Sequence, residues 1–553
     1  MRRDLGRLAR ETFDVAVVGA GIYGASIARD AALRGLSVAA IDSGDFGHAT
    51  SANSLKIIHG GLRYLQHLDF VRMRASIAER SILLAIAPHL VRPFPFLMPL
   101  YGHGLHGREA LWVALKLNDL VSFDRNRSRD PSRRLLGGRV VSREECLRLS
   151  PGIVEDGLTG GAIWYDCVMQ DSERLLLATV LSAADHGAAL ANYVEAVGVL
   201  RSGDRAIGVR ARDRIGGGDL DVRARVVVDA AGPWARRALD GNGEPVRWAR
   251  AMNVVTRPIG FDHALGVSSR SRTRGRGRLY FLVPWGQRTL IGTAYLPFAG
   301  DPDSMAVTSA EVAAFVAEVD AAQPALGLTF DDVSFVHSGL VPIIGDGQAS
   351  EIELGRRHRV DERADGVVTV TGVKYTTARG VAEEVVDRAC ARLGRRAACA
   401  SASTPLRGGD MDHLHDYLAR AIERQPEAVG EHVVRRLVER YGTDYQRVLE
   451  IAASSPSLAR SINGSSEVVG AEIVHAARAE MAVRLSDVVF RRTALAAAGH
   501  PGAAALDEAS RILGAELGWD SARRTREVED VDRTLVEKRH ARPVSLAATA
   551  AIR

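Results

Sequence analysis

Phe13-Asp-Val-Ala-Val-Val-Gly19-Ala-Gly21-Ile-Tyr-Gly24-Ala-Ser-Ile-Ala28, followed by Gly35-Leu-Ser-Val-Ala-Ala-Ile-Asp42, decides the fold. An apolar run enters a turn with three glycines, a helix begins, and a second apolar run ends in an acid. The pattern predicts a βαβ unit that binds a dinucleotide. Gly19 makes the tight turn, Gly21 lets backbone approach a pyrophosphate, Gly24 lets helix pack on strand, and the helix N-terminus offers N–H groups to the phosphates. Asp42 stands where a ribose hydroxyl is bound. NAD and FAD share this cradle, so the turn leaves the choice between them open.

Outward from the turn, the polar loop Ala49-Thr-Ser-Ala-Asn-Ser-Leu-Lys56 leads to Ile57-Ile-His59-Gly60-Gly61-Leu-Arg63-Tyr64 and an amphipathic helix ending near Ala87. Residues 158–211 read as a mixed sheet with a helix over Ser172 to His186. Arg225-Val-Val-Val-Asp-Ala-Ala-Gly-Pro-Trp234 is a buried strand stopped by a turn that can press backbone against a ligand. Leu279–Trp285 and Thr289–Thr293 read as a strand pair, and Val367–Thr371 as a strand ending at Gly372-Val-Lys374-Tyr-Thr-Thr377 before a helix to Leu393. Cys399 to Asp410 resembles a linker. Beyond it helical spacing dominates, as in Val433–Tyr441 and Ile473–Met481, so the expected division is 1–400, a helical domain over 401–535, and a disordered tail over 536–553.

The chain has 553 residues, 46% hydrophobic and 25% charged, with a formal net charge of +5. This composition belongs to a globular protein of two or three domains, and so small a charge excess does not indicate nucleic-acid binding. Four cysteines without a CxxC pair argue against zinc, iron–sulfur and a disulfide framework, and no metal is expected. The charged N-terminus reads as a frayed leader rather than a secretory signal, and no apolar run is long enough to span a bilayer. The expected location is cytoplasmic, or peripheral on the inner face of a membrane. Arg270-Ser-Arg-Thr-Arg-Gly-Arg-Gly-Arg278 places a cation at every second position, a solvated loop or a surface for anionic headgroups.

Taken in order, Gly19–Gly24, Thr50–Lys56, His59–Tyr64, Ala231-Gly-Pro-Trp234, Ile291-Gly-Thr293, Gly372–Thr377, Asp487-Val-Val-Phe-Arg-Arg-Thr493 and Glu516–Trp519 resemble the FAD-dependent glycerol-3-phosphate dehydrogenases. The resemblance runs end to end. It implies an α/β FAD-binding domain of the glutathione-reductase type, interleaved with an antiparallel-sheet substrate domain, plus an all-α C-terminal domain. It implies FAD held by Gly19, Gly21, Gly24, Asp42, Thr50, Ser51, Lys56, Val194, Gly232, Gly372 and Lys374. It further implies substrate held by Arg63, Tyr64, Lys374 and Thr377, with Arg63 and Lys374 in the chemistry. Partners implied are a small-molecule substrate and a quinone or other electron acceptor, with peripheral membrane contact.

Three positions depart from that family. Asn253 stands for a histidine, Val341 in Ser338-Gly-Leu-Val341-Pro for a phosphate-binding arginine, and Tyr295 for an aspartate. Asparagine cannot act as a base near neutral pH, and one lost charge-assisted phosphate contact costs on the order of 1.5–3 kcal/mol. His59 is then the nearest replacement base and Tyr295 a weaker one, while Arg257 and Arg356 are candidate compensating cations. Three readings stay open: oxidation of glycerol 3-phosphate or a related phosphopolyol, an amine or hydroxy-acid oxidase, and a flavin-binding scaffold without catalysis.

Overall fold

A computed structural model describes residues 1–104, 107–126, 130–235, 237–239, 246–269, 278–344, 353–355, 357–372, 374–425, 429–464, 467–497 and 499–540, without the side chains of Gln66 and His540. Two sheets interleave along the chain. The first runs Arg359–Glu362, Val368–Thr371, Asp219–Asp229, Thr12–Val18, Val38–Ile41, Ala189–Ala191, parallel from the second of these strands onward. Val15 pairs with Val226 on one side and Val38 on the other. Helices Ile22–Leu33, Ser172–Asp185 and Ala378–Leu393 cover one face, and the hairpin Val194–Ser202/Arg205–Asp213 contributes to the core on the other. Burial on both faces explains why Phe13–Val18 is one apolar run broken only by Asp14.

The second sheet has ten strands among the described residues and includes Val91–Tyr101, Leu158–Met169, Trp248–Thr256, Leu279–Trp285, Arg288–Phe298 and Phe335–Ile344. It is antiparallel except where Ala264–Ser268 pairs parallel with Val91–Tyr101. Helix Ser309–Ala322, started by a reciprocal Thr308–Glu311 capping box, packs on one face. The other face looks toward the dinucleotide half and the C-terminal domain.

The C-terminal region is helical, as expected, and it packs into the rest of the protein. Val255, Leu290 and Phe335 of the second sheet share one core with Val488, Leu513 and Leu535. Asp45 lies buried under the first sheet's end, where Arg492 grips it with two bonds of 2.6 and 2.7 Å and Arg491 adds a third contact. Tyr193 donates to Asp487 at 2.6 Å. The Asp487–Thr493 motif is thus a clamp on the dinucleotide domain.

Three expectations are corrected. The N-terminus is not frayed: Leu5–Arg10 is a helix capped by Asp4, Leu8 is fully buried, and Arg3 pairs with Asp213. The stretch after Cys399 is not a free linker, because Arg29 donates to the carbonyl of Ser401 at 3.0 Å and Arg379 to its hydroxyl at 3.2 Å. The tail expected from residue 536 begins inside a helix, Ser521–His540, and residues 541–553 lie outside the described ones.

Candidate active site

The glycine turn is built as its sequence dictates. Gly19 has φ +89, and a Cβ there would stand 2.7 Å from the carbonyl oxygen of Ala230; one on Gly24 would stand 1.8 Å from that of Gly19. Helix Ile22–Leu33 begins at Gly21 with no side-chain cap, leaving first-turn N–H groups for an anion. The Ile22 N–H is taken by the Ser51 hydroxyl at 3.0 Å. Asp42 accepts from the N–H groups of Ala20 (2.6 Å) and Gly44 (2.9 Å), which fixes its carboxylate at the rim of the turn. Burial opposes charge on neighbouring His48, yet the Asp42 carboxylate raises its pKa. A bare glycine cradle, an uncapped helix and an acid at the second strand's end fit a dinucleotide.

Across the cleft, Gly372 closes on the same helix. A Cβ there would lie 2.0 Å from the ring of Tyr23, whose phenol donates to the Lys374 carbonyl (2.7 Å) and accepts from the Lys374 N–H (3.0 Å). The Lys374 ammonium reaches the Tyr64 hydroxyl and lies 4.2 Å from that ring's centroid. Burial, with Arg72 and Arg63 nearby, lowers the Lys374 pKa to about 8. His59 packs edge-on to Tyr64, centroids 6.1 Å apart, and burial pushes its pKa down to about 4, so its imidazole is neutral at pH 7. Gly60 donates to Asp166 at 2.6 Å, and Asp166 is ion-paired with Arg80, which holds the His59–Gly61 turn in place. Arg63 stays exposed at the entrance, and Thr377 begins helix Ala378–Leu393 without a side-chain cap.

On the second sheet, Asn253 and His337 are direct cross-strand partners. Asn253 donates to the Asn53 carbonyl at 3.1 Å and accepts from Thr293 at 2.7 Å. The Tyr295 phenol is raised by burial and shares a hydrogen bond with Thr293. Val341 is half-buried and pairs with Ala249.

Residues 14–388 match the family described as FAD dependent oxidoreductase, and residues 399–524 match the C-terminal domain of alpha-glycerophosphate oxidase. Glycerol-3-phosphate dehydrogenase 2 of Mycobacterium tuberculosis is 34% identical over 540 residues, 94% of this chain and 88% of that protein. The chain belongs to the FAD-dependent glycerol-3-phosphate dehydrogenase family. The Synechocystis glycerol-3-phosphate dehydrogenase is 32% identical over 538 residues, covering 94% of this chain and 95% of its own length. The solved glycerol-3-phosphate dehydrogenase of Bacillus halodurans, complexed with FAD, shares the fold with a TM-score of 0.79 at 23% identity, over 98% of this chain and 97% of that one.

For this FAD-dependent dehydrogenase, the site brings together Arg63, Tyr64, Lys374 and His59 and turns other side chains inward. Lys56, at φ 59, spends its ammonium on Glu173 (2.6 Å) and Ser172 (3.0 Å), over the ring of Trp285 at 5.0 Å. Burial raises the Glu173 pKa while Lys56 draws it back. The Thr50 hydroxyl is tied to both the N–H and the carbonyl of Leu340, and the Val194 N–H is spent on the Asp42 carbonyl at 2.7 Å. Gly232 keeps its turn at φ +59 with open space beside it. Arg257 is no spare cation, because it pairs with Asp332 at 2.9 Å. Arg356 and Arg270 to Arg276 lie outside the described residues. Among those described, no cluster could hold a metal and no helix is long and apolar enough to cross a membrane. Tyr23, Asp166 and His337 went unread in the sequence, where each lies in an ordinary apolar or polar neighbourhood.

Proposed function

We propose that this dehydrogenase oxidises the secondary hydroxyl of glycerol 3-phosphate or a closely related phosphopolyol. The convergence of Arg63, Tyr64 and Lys374 beside the Gly372 turn carries the reading: two cations and a phenol suit a phosphate ester at the mouth of a flavin site. The relatives' activity supports it. Gly19, Gly21 and Gly24 hold the pyrophosphate of FAD, Asp42 the ribose, and the Gly232 and Gly372 turns close on it, with Thr50, Ser51, Lys56 and Val194 bordering it. Bound FAD would supply the acceptor for a hydride, that is, two electrons with one proton. Arg63 and Tyr64 orient the phosphate, Thr377 adds a hydroxyl, Lys374 stabilises negative charge, and neutral His59 accepts a hydrogen bond from the substrate.

Anaerobic mixing of the FAD-loaded protein with glycerol 3-phosphate tests this. Loss of the oxidised flavin's visible absorbance is expected; bleaching by an amine or hydroxy acid but not by a phosphopolyol would overturn the reading.

A quinone as electron acceptor and peripheral membrane contact complete the proposal. What supports contact is an exposed apolar face, Trp112, Val113, Leu120 and Phe123, with Leu68 and Val71 on the adjoining helix and turn, beside exposed Lys116 and Arg108. Arg74 ties the two elements, donating to the Val121 carbonyl at 3.1 Å. Aromatic and apolar side chains rimmed by cations suit an anionic lipid surface. Co-sedimentation with anionic liposomes, weakened in Trp112→Glu/Phe123→Glu, is the expected result.

A further inference from the structure

Two cations share one buried ring. The Lys374 ammonium donates to the Tyr64 hydroxyl and lies 4.2 Å from the ring centroid, and the Arg72 guanidinium lies 4.9 Å from the same centroid. Tyr64 is 9% exposed and burial raises its phenol, so the ring brings no negative charge to either. A ring face attracts a cation, but two like charges on one ring repel each other, more strongly where water is excluded. The backbone nonetheless turns Arg72 onto this ring. Leu68 takes φ +51, and the Asp69 N–H donates to the Tyr64 carbonyl at 3.1 Å, folding the start of helix Phe70–Ile86 back toward Tyr64. Val71 then points outward, 77% exposed, while the Arg72 side chain is only 16% exposed.

The charge around the ring does not balance. Asp69 accepts from the Arg72 N–H at 3.0 Å and from its Nε, and this one carboxylate faces more than one cation. The Arg72 N–H and guanidinium, and then Arg357, lower the Asp69 pKa. After burial, Arg72 is the strongest influence holding the Lys374 pKa down; Asp69 opposes it and Arg63 adds to it. Asp166, the acid under the His59–Gly61 turn, is already ion-paired with Arg80. Arg72 and Lys374 are half-buried and Arg63 is exposed, so the cluster is reached from solvent. Cations in excess of acids, converging on a neutral phenol in an open cleft, suit an anion.

We propose that Arg72 is a specificity-determining residue that binds the substrate's phosphate together with Arg63 and Lys374, supplying from helix Phe70–Ile86 the cation that Val341 leaves out of the second sheet. The assignment rests on the substrate class proposed above. A phosphate ester carries about 1.5 to 2 negative charges at pH 7 and three acceptor oxygens, which relieves the repulsion between the cations on Tyr64. Asp69 fixes the plane of the guanidinium beforehand and so removes part of the ordering cost of binding.

Arg72→Met and Arg72→Lys in the full-length, FAD-loaded enzyme test the assignment, with FAD content and melting temperature establishing that each is folded. Arg72→Met is expected to raise the Michaelis constant for glycerol 3-phosphate about tenfold or more, with flavin reduction at saturating substrate close to the wild-type rate. Arg72→Lys is expected to keep part of the affinity, since it retains the charge and loses the fork. Binding of inorganic phosphate, followed by flavin difference spectra, should weaken by a similar factor, whereas flavin reduction by glycerol, which has no phosphate, should be unaltered. The pH above which phosphate binding weakens should also move upward in Arg72→Met, because Lys374 loses a neighbouring cation. A folded Arg72→Met with wild-type affinity for glycerol 3-phosphate and phosphate would overturn the role of Arg72 and leave the substrate reading standing. Equal losses with glycerol 3-phosphate and with glycerol would overturn it too, by marking a packing role. A wild-type flavin that an amine or hydroxy acid bleaches and glycerol 3-phosphate does not would overturn the substrate reading and this role with it.

Discussion

The phenol of Tyr23 and the backbone of Lys374 are bonded twice, donor to carbonyl at 2.7 Å and acceptor from N–H at 3.0 Å, across 351 residues of chain. This pair joins the first turn of the dinucleotide helix to the loop that delivers the lysine. Tyr23→Phe keeps the ring against Gly372 and loses both bonds, so a stability loss of about 1–3 kcal/mol is expected, read as a lower melting temperature with FAD retained. Gly372→Ala is expected to be worse and to yield protein largely without flavin, since its Cβ would collide with the ring at 2.0 Å.

Lys374 is expected to set a pH limit on substrate binding. Burial and two nearby arginines lower its pKa to about 8, so it is charged below that pH and neutral above it. Affinity for a phosphorylated substrate or product should fall as pH rises through this value, by up to about tenfold per unit for one lost charge. Lys374→Arg should flatten the profile, because a guanidinium keeps its proton throughout. Titrating product binding by flavin difference spectra checks both.

Val341 invites a gain-of-function test. It stands half-buried on the same strand as His337, four residues further on. Val341→Arg adds a cation to this face and is expected to tighten binding of a phosphorylated substrate about tenfold or more. The Michaelis constant for glycerol 3-phosphate should drop accordingly, and a non-phosphorylated polyol should be unaffected.

Asp45→Asn is expected to cost about 3–5 kcal/mol, because it strands two buried guanidiniums. Burial alone would raise the Asp45 carboxyl, but Arg492 and Arg491 hold it far below the ordinary range. A depressed folded pKa means stability that is present at neutral pH and lost on acidification; the variant should lack that dependence. Urea unfolding at pH 7 and at about pH 2.5, below the ordinary carboxyl value of 3.8, measures both effects.

The dinucleotide half was legible because its signals are local: Gly19, Gly21, Gly24 and Asp42 span 24 residues, and Gly19 and Gly24 each answer to a backbone requirement. Order of motifs along the chain carried the rest of the fold and brought Arg63, Tyr64 and Lys374 into one reading. Side-chain direction was not legible. Lys56 reads as a loop cation beside the flavin, yet its partner Glu173 lies 117 residues away. His337 carries no signal of its own in the sequence; only register against Asn253 and the contact with Asn53 place it. Pairings of this kind are settled by three-dimensional packing, which spacing does not encode.

The bond from Arg492 to Asp45 also carries a statement about time. The two residues are 447 positions apart, and the carboxylate lies three residues past the acid that ends the dinucleotide motif. A ribosome finishes the glycine turn early and makes the matching guanidinium 447 residues after Asp45, so the nascent N-terminal half emerges with its cofactor loop unlatched. Closure over the cofactor loop therefore waits on the C-terminal helical domain, and a chain cut short before Arg491 lacks the latch altogether.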